Sequence, residues 1–465
     1  MKKVFVFCIG GTGIRVMKSI AMLMAGGMDT NGYIVVPVIV DPHLDLEEKK
    51  NLHSLIDSYM DIYKKSISNG NSVLNHMKGF FNSEIRLWSQ LNSQSNDTQQ
   101  AAGSKEKFGS YINQSALRAD DINNYLVETL FSSKNLNSSL SVGFKGNPNV
   151  GTVVLGEMIE NADWYKAFKT HCDKDDRVFI ISSIFGGTGA SGYPLLEKKI
   201  RESVNEPNVK NAVLGAVTVL PYYGLKDPAT SGSDIDSANF YTKTKAALAY
   251  YQNTVQSDYL YYVGEKTLQQ VYENDEKKQE DTANFIEVVA ASALFDFLKR
   301  EKPEQTQYMS RAIEDAKESL DLNAMGKGYV DIVKSVADFM LLRSLVQILP
   351  DESHFPLKIN RGFDESFYKD APFSALRNFV MVYYNWYNEL SNNKRAFAPL
   401  RYDNLKDMEG FVNGISLSAK DDSYYLLQMI KSSNKDTTKN HSNKFRFFLE
   451  FAYQAINYYT SKINK

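Results

Sequence analysis

Two glycine boxes, each set between an apolar run and a helical pattern, constrain this 465-residue chain more than any other feature. The first, Gly10-Gly11-Thr12-Gly13, follows the run Val4 to Ile9. The second, Gly186-Gly187-Thr188-Gly189-Ala190-Ser191-Gly192, follows Val178-Phe179-Ile180-Ile181-Ser182-Ser183-Ile184. A strand that passes through glycines into a helix leaves bare backbone N–H groups at the positive end of the helix dipole, where a phosphate is favoured. Two such boxes predict two walls of one phosphate cradle, with Thr12 and Thr188 adding hydroxyls among the amides.

The organisation around the boxes predicts an α/β protein. Strands are expected at 3–9, 33–40, 177–184, 212–220 and 258–263, all continuous apolar runs of the kind that are covered on both faces. Helices are expected at 14–25, 193–204 and 236–255, so strand and helix alternate as in a mainly parallel sheet with flanking helices. Residues 44–140 interrupt the alternation with amphipathic pieces (Leu46 to Ser66, Phe80 to Leu91) and a polar stretch from Asn92 to Lys107. Thr282 to Arg300 is apolar on nearly every face, which predicts a buried central helix. Beyond it, 328–349, 373–391, 422–432 and 444–462 read as helices rich in aromatics such as Phe379, Tyr383, Trp386, Phe448 and Tyr453. Aromatics at helical spacing predict core or interface. The expected organisation is therefore a nucleotide-binding domain over 1–280 with the 44–140 insertion, a linking helix over 281–301 and a mostly helical C-terminal domain over 302–465.

Composition removes several function classes. Lys and Arg total 53 against 55 Asp and Glu, which argues against a basic nucleic-acid binder. There are two cysteines and six histidines, without C-x-x-C or H-x-x-x-H pairs, which argues against a zinc site. Val4 to Ile9 is too short for a signal peptide, and no run of about 18 apolar residues suits a membrane span. A cytoplasmic protein with buried, reduced Cys8 and Cys172 is expected. Neither box carries the G-K-[ST] of a Walker loop, and Tyr193 breaks the G-x-S-x-G spacing of a serine nucleophile elbow around Ser191. One alternative stays open: Gly11-x-Gly13 after a strand, with Asp41 further on, also suits an NAD-binding Rossmann enzyme, although Val16 replaces the third glycine.

Four segments together resemble the tubulin/FtsZ superfamily. Gly186-Gly187-Thr188-Gly189, with Pro194 after it, is similar to the family's G-G-G-T-G-[ST]-G loop, although Ala190-Ser191-Gly192 displaces the last glycine by one. Gly10 to Gly13 stands where the family's first phosphate loop opens, and Asp41-Pro42-His43-Leu44-Asp45-Leu46 resembles its acidic second loop. Gly143-Phe144-Lys145-Gly146-Asn147-Pro148-Asn149-Val150-Gly151 is similar to the G-N-P-x-V-G loop that senses the terminal phosphate. The likeness covers about 1–300, the central helix included.

The resemblance implies GTP or GDP with Mg²⁺, held by Gly10, Gly11, Thr12, Gly13, Asp41, Gly146, Asn147, Gly151, Gly186, Gly187, Thr188, Gly189 and Ala190. It implies Asp41 and Asp45 toward the metal, Asp236 and Asn239 as ribose or base partners after the loop Pro221 to Asp234, and Asn284 as base reader. Asp45 and Glu47 equally suit the first turn of a helix, and Lys145 suits either the terminal phosphate or solvent. Val263-Gly264-Glu265-Lys266 stands where the family has P-N-D-K, so the usual asparagine is missing. The family's hydrolytic acid follows the central helix and acts on the nucleotide of a neighbouring subunit, which implies head-to-tail self-assembly. Glu301, Glu304 and Asp321 are the candidates, none in the family's N-x-D pattern. That departure keeps a second reading open: a non-hydrolysing nucleotide-binding scaffold or regulator, for example in a prokaryotic defence system, whose helical tail binds a partner protein.

Overall fold

The computed structural model describes residues 1–42, 47–67, 79–88, 107–140, 144, 146–225, 239–265, 270–272, 282–311, 319–321, 325, 327–350, 363, 365–400 and 443–460. In chain order the principal elements are β1 (Lys3–Ile9), α1 (Gly10–Ala25), β2 (Ile34–Val40), α2 (Glu47–Ser66), α3 (Pro148–Asn161), α4 (Asp163–His171), β3 (Arg177–Ser183), α5 (Gly187–Arg201), β4 (Val213–Val219), α6 (Phe240–Thr254), β5 (Tyr259–Val263), α7 (Phe285–Leu298), β6 (Gln307–Arg311), α8 (Val330–Ile348), α9 (Ala371–Ser391) and α10 (Lys444–Thr460). The six strands form one parallel sheet in the order β2-β1-β3-β4-β5-β6.

The apolar runs become strands because both faces are covered. Phe5 and Phe7 point to one face, where Phe168 of α4 meets them edge-on at 4.9 and 5.1 Å. On the other face α1 lies so close that a Cβ on Gly13 would be 2.7 Å from the Cys8 carbonyl carbon and 3.1 Å from Ile181 O. Phe297 of α7 packs on Phe179 at 5.2 Å on that same face. Pro37 is tolerated because β2 is the edge strand. Val35 turns its N–H outward to Glu84 O, so Pro37, two residues on, lacks its N–H on the outer side, where no ladder bond is lost. Cys8 and Cys172 are buried free thiols, and burial pushes Cys172 up to about 12.

The expected α/β architecture with a helical C-terminal region is present, but it differs from expectation in several elements: α3 and α4 were not expected, and the helix expected at 14–25 starts at Gly10. The helix expected at 193–204 starts at Gly187, so the second box supplies its first turn. The helix expected at Phe80 to Leu91 does not form over 80–87; Ile85 instead bridges Val35 beside the sheet edge. The strand β6 was not expected. The polar stretch 92–106 and the expected helix 422–432 lie outside the described residues.

The aromatic C-terminal helices pack inward. Phe339 of α8 stacks on Tyr383 of α9 at 3.9 Å, and Phe379 meets Phe81 at 5.1 Å. Ser335 of α8 donates to Leu23 O near the end of α1. Among the described residues, no helix is long and apolar enough to cross a membrane. Gly13→Ala is expected to cost about 1–3 kcal/mol in urea unfolding, because the new Cβ meets backbone that cannot yield as a side chain would.

Candidate functional site

β1 and β3 are neighbours, with Cys8 opposite Ile181, yet their following helices leave toward opposite faces. The first connection runs to β2 on one side and the second to β4 on the other. Such a reversal opens a crevice outside the carboxyl ends of the two strands, the preferred ligand position of parallel sheets. Both glycine boxes line it. Gly10 has φ +72°, and a Cβ on it would meet Thr188 Cβ at 3.5 Å and Gly189 N at 3.7 Å. The two boxes therefore touch.

The third segment closes against the second box. A Cβ on Gly187 would stand 2.9 Å from Phe144 Cβ, 3.1 Å from Asn147 N and 3.2 Å from Gly146 N; one on Gly151 would stand 3.1 Å from Gly187 O. The starts of α1, α3 and α5 thus meet in one place, and none of the three N-cap residues (Ile9, Asn147 and Gly186) caps its helix with a side chain. By contrast α7 begins with a full capping box: Asn284 Oδ1 accepts from Ile286 N at 2.9 Å, and Glu287 Oε2 accepts from Asn284 N at 3.1 Å. Three uncapped helix starts concentrate orphan donors and positive dipole ends, which is the chemistry of an anion site.

The remaining sequence candidates fall in several places. Asp41 is buried directly after β2, level with Gly10 because Val40 pairs with Ile9. Gly13 and Gly189 serve close packing, Gly189 against the Ser183 backbone. Ala190 O accepts from Tyr251 OH at 3.2 Å, and Ser191 Oγ donates to Gly187 O at 2.7 Å. Asn239 precedes α6, whose Phe240 packs on Phe185 at 4.8 Å and whose Lys243 Nζ donates to Gly146 O at 2.7 Å, so this helix start also borders the crevice. Asn284 has committed its carbonyl oxygen to capping, which leaves its amide NH₂ for a ligand. Asp45, Lys145 and Asp236 lie outside the described residues.

Glu301 and Glu304 lie at the opposite edge of the sheet. There Tyr259 OH, at the start of β5, donates to Glu301 O at 2.6 Å, and Arg177 at the start of β3 donates to Phe297 O. Asp321 belongs to the other end of α7: it follows Leu320, which pairs with Phe397, and Phe397 stacks on Phe285 at 5.2 Å.

Beside the first box lies a buried ion network that sequence reasoning missed. Arg15 donates from Nε to Glu287 Oε1 at 2.8 Å, from one terminal nitrogen to Glu48 Oε1 at 2.8 Å, and from the other to Tyr222 OH at 3.0 Å. Tyr222 OH donates in turn to Glu287 Oε1 at 2.8 Å. Burial opposes the charge on Arg15, but Tyr222, Glu48 and Glu287 outweigh it and hold its pKa well above the ordinary value. Burial pushes Glu287 up, against Arg15, the Tyr222 hydroxyl and the Asn284 N–H. Glu48 Oε2 is buried and has no hydrogen-bond partner. Among the described residues, no group of three or more His, Cys, Asp or Glu side chains is arranged to hold a metal ion. The available signal was Arg15 and Glu287, charges set within two helices, α1 and α7, that are otherwise largely buried.

No protein-family profile and no curated protein matches the chain in sequence. Among solved structures, CetZ from Methanosaeta thermophila strain DSM 6194 is similar over 66% of this chain, with 13% identity and a TM-score of 0.33. The match spans 56% of the CetZ chain. So loose a likeness carries no weight beside the geometry of the crevice. Arg15→Met is expected to cost about 3–5 kcal/mol in urea unfolding, because it strands two buried carboxylates. Adding Glu48→Gln and Glu287→Gln to that variant is expected to return part of the loss.

Proposed function

We propose that this chain is a tubulin/FtsZ-like protein that binds a guanine nucleotide in the crevice and hydrolyses it at contacts between copies. The observation that carries this reading is the meeting of three uncapped helix starts, at Gly10, Pro148 and Gly187, in the segments whose sequences resemble the family's phosphate loops. In it, the N–H groups of the three helix starts bind the phosphate oxygens, and the Thr12 and Thr188 hydroxyls add to them. Asp41, buried at the same edge, would help to hold Mg²⁺, which would offset charge on the phosphates.

The placement of the acids favours hydrolysis between copies. Glu301 and Glu304 are a sheet's depth away from the boxes of their own chain. A second copy stacked end-on brings one of them to the crevice, where it positions water against the terminal phosphate. The chemistry asks for little more, since phosphoryl transfer depends chiefly on positioning and charge stabilisation. A non-hydrolysing scaffold would use the same cradle and differ only in the fate of the nucleotide.

Heat release and chromatography of the purified protein are expected to yield GDP or GTP; a nicotinamide dinucleotide would overturn the assignment. GTP turnover is expected to rise more steeply than linearly with protein concentration, alongside light scattering, and linear turnover would remove the shared site. Gly187→Ala combined with Thr188→Ala crowds Phe144 and Asn147 and deletes a hydroxyl. The pair is expected to weaken nucleotide binding by roughly 10- to 100-fold, the scale of one or two good hydrogen bonds at 1.4 kcal/mol per tenfold.

A further inference from the structure

Glu48 lies one turn beyond the segment that sequence reasoning assigned to the metal, and its two oxygens have different surroundings. Oε1 is held by Arg15 at 2.8 Å. Oε2 is buried, has no hydrogen-bond partner, and lies 3.0 Å from where a Cβ on Gly11 would stand. The side chain is 5% exposed, so water does little to satisfy that oxygen. It is aimed at the backbone of the first box, at the mouth of the uncapped start of α1.

Charge decides what that oxygen takes. Arg15 lies between two carboxylates, Glu48 and Glu287, and is already engaged by both before any ligand arrives. A phosphate chain brought to the adjacent amides adds negative charge, and an unpartnered carboxylate oxygen beside it is repelled unless a cation lies between them. Hard divalent cations in such sites are held by one or two carboxylates together with phosphate oxygens and water, rather than by a cage of protein ligands.

We propose that Glu48 Oε2 is a ligand of the divalent cation that accompanies the nucleotide, and that Glu48 Oε1, through Arg15 and Glu287, links cation binding to the seating of the central helix α7. The proposal rests on the nucleotide reading of the crevice. Arg15 is here a positioning residue: it fixes the Glu48 carboxylate and ties it to the first turn of α7, 272 residues away along the chain. Thr12, 3.5 Å from the same guanidinium, places the network directly behind the first box.

The test uses the full chain loaded with GDP and titrated with Mn²⁺, read by electron paramagnetic resonance, and repeated for Glu48→Gln. The glutamine still accepts from Arg15 but loses the charge. Mn²⁺ affinity is expected to fall roughly 10- to 100-fold, while GDP retention in EDTA stays at the wild-type level. Hydrogen exchange at 285–290 is expected to slow on adding Mn²⁺ to the wild type and not to the variant. Should Glu48→Gln fail to fold, Glu48→Asp serves instead, since it keeps the charge but withdraws the carboxylate by one methylene from the first box. Unchanged Mn²⁺ affinity in a variant that retains GDP overturns the cation assignment alone. So does an equal loss of GDP with and without the metal, which would make Oε2 an acceptor for the nucleotide itself. A wild type that retains no GDP overturns the nucleotide reading and the cation assignment together.

Discussion

Two parallel strands lie side by side and send their helices to opposite faces of the sheet. This single reversal, between β1 and β3, generates the rest of the site. A helix leaves its first N–H groups without partners wherever it starts. A run of helices on one side would scatter those starts along the sheet. The reversal places the starts of α1 and α5 against each other, and the 146–151 turn folds α3 onto the second of them. Gly151 and Gly187 let that turn and the second box approach to a distance that a Cβ would prevent.

The ion network is the second constraint. Burying Arg15 with two carboxylates is costly, and breaking such a group is costlier still than replacing it with apolar side chains. Its geometry brings four elements to one guanidinium: the first box, α2, the segment after β4, and α7. The central helix is thereby registered against the crevice at its first turn. Its far end is held by different contacts, from Arg177 to Phe297 O and from Asn31 to Leu298 O.

Much of this was legible in the chain. The strands were readable because sheets covered on both faces demand continuous apolar runs, and the boxes because glycine before a helix has few other uses. The strand β6 escaped because Gln307-Tyr308-Met309-Ser310-Arg311 is an edge segment with an exposed Tyr308, and it lacks the apolar signature of its neighbours. Phe80 to Leu91 has helical spacing, but its aromatics are drawn to Phe339 and Phe379 of the C-terminal helices, a long-range pull that periodicity does not register. Arg15 and Glu287 are too far apart in sequence for spacing to pair them. Asn284 was the reverse case, since N-x-x-E at a helix start is a readable capping box that commits the asparagine's oxygen locally.

α1 has a further consequence. It starts in the crevice and runs 16 residues, about 24 Å, to Gly26, where Ser335 of α8 crowds so closely that no side chain fits. It is sheathed on nearly every side, with 13 of its residues buried. The crevice and the seat of α8 are thereby joined by one continuous, tightly packed element.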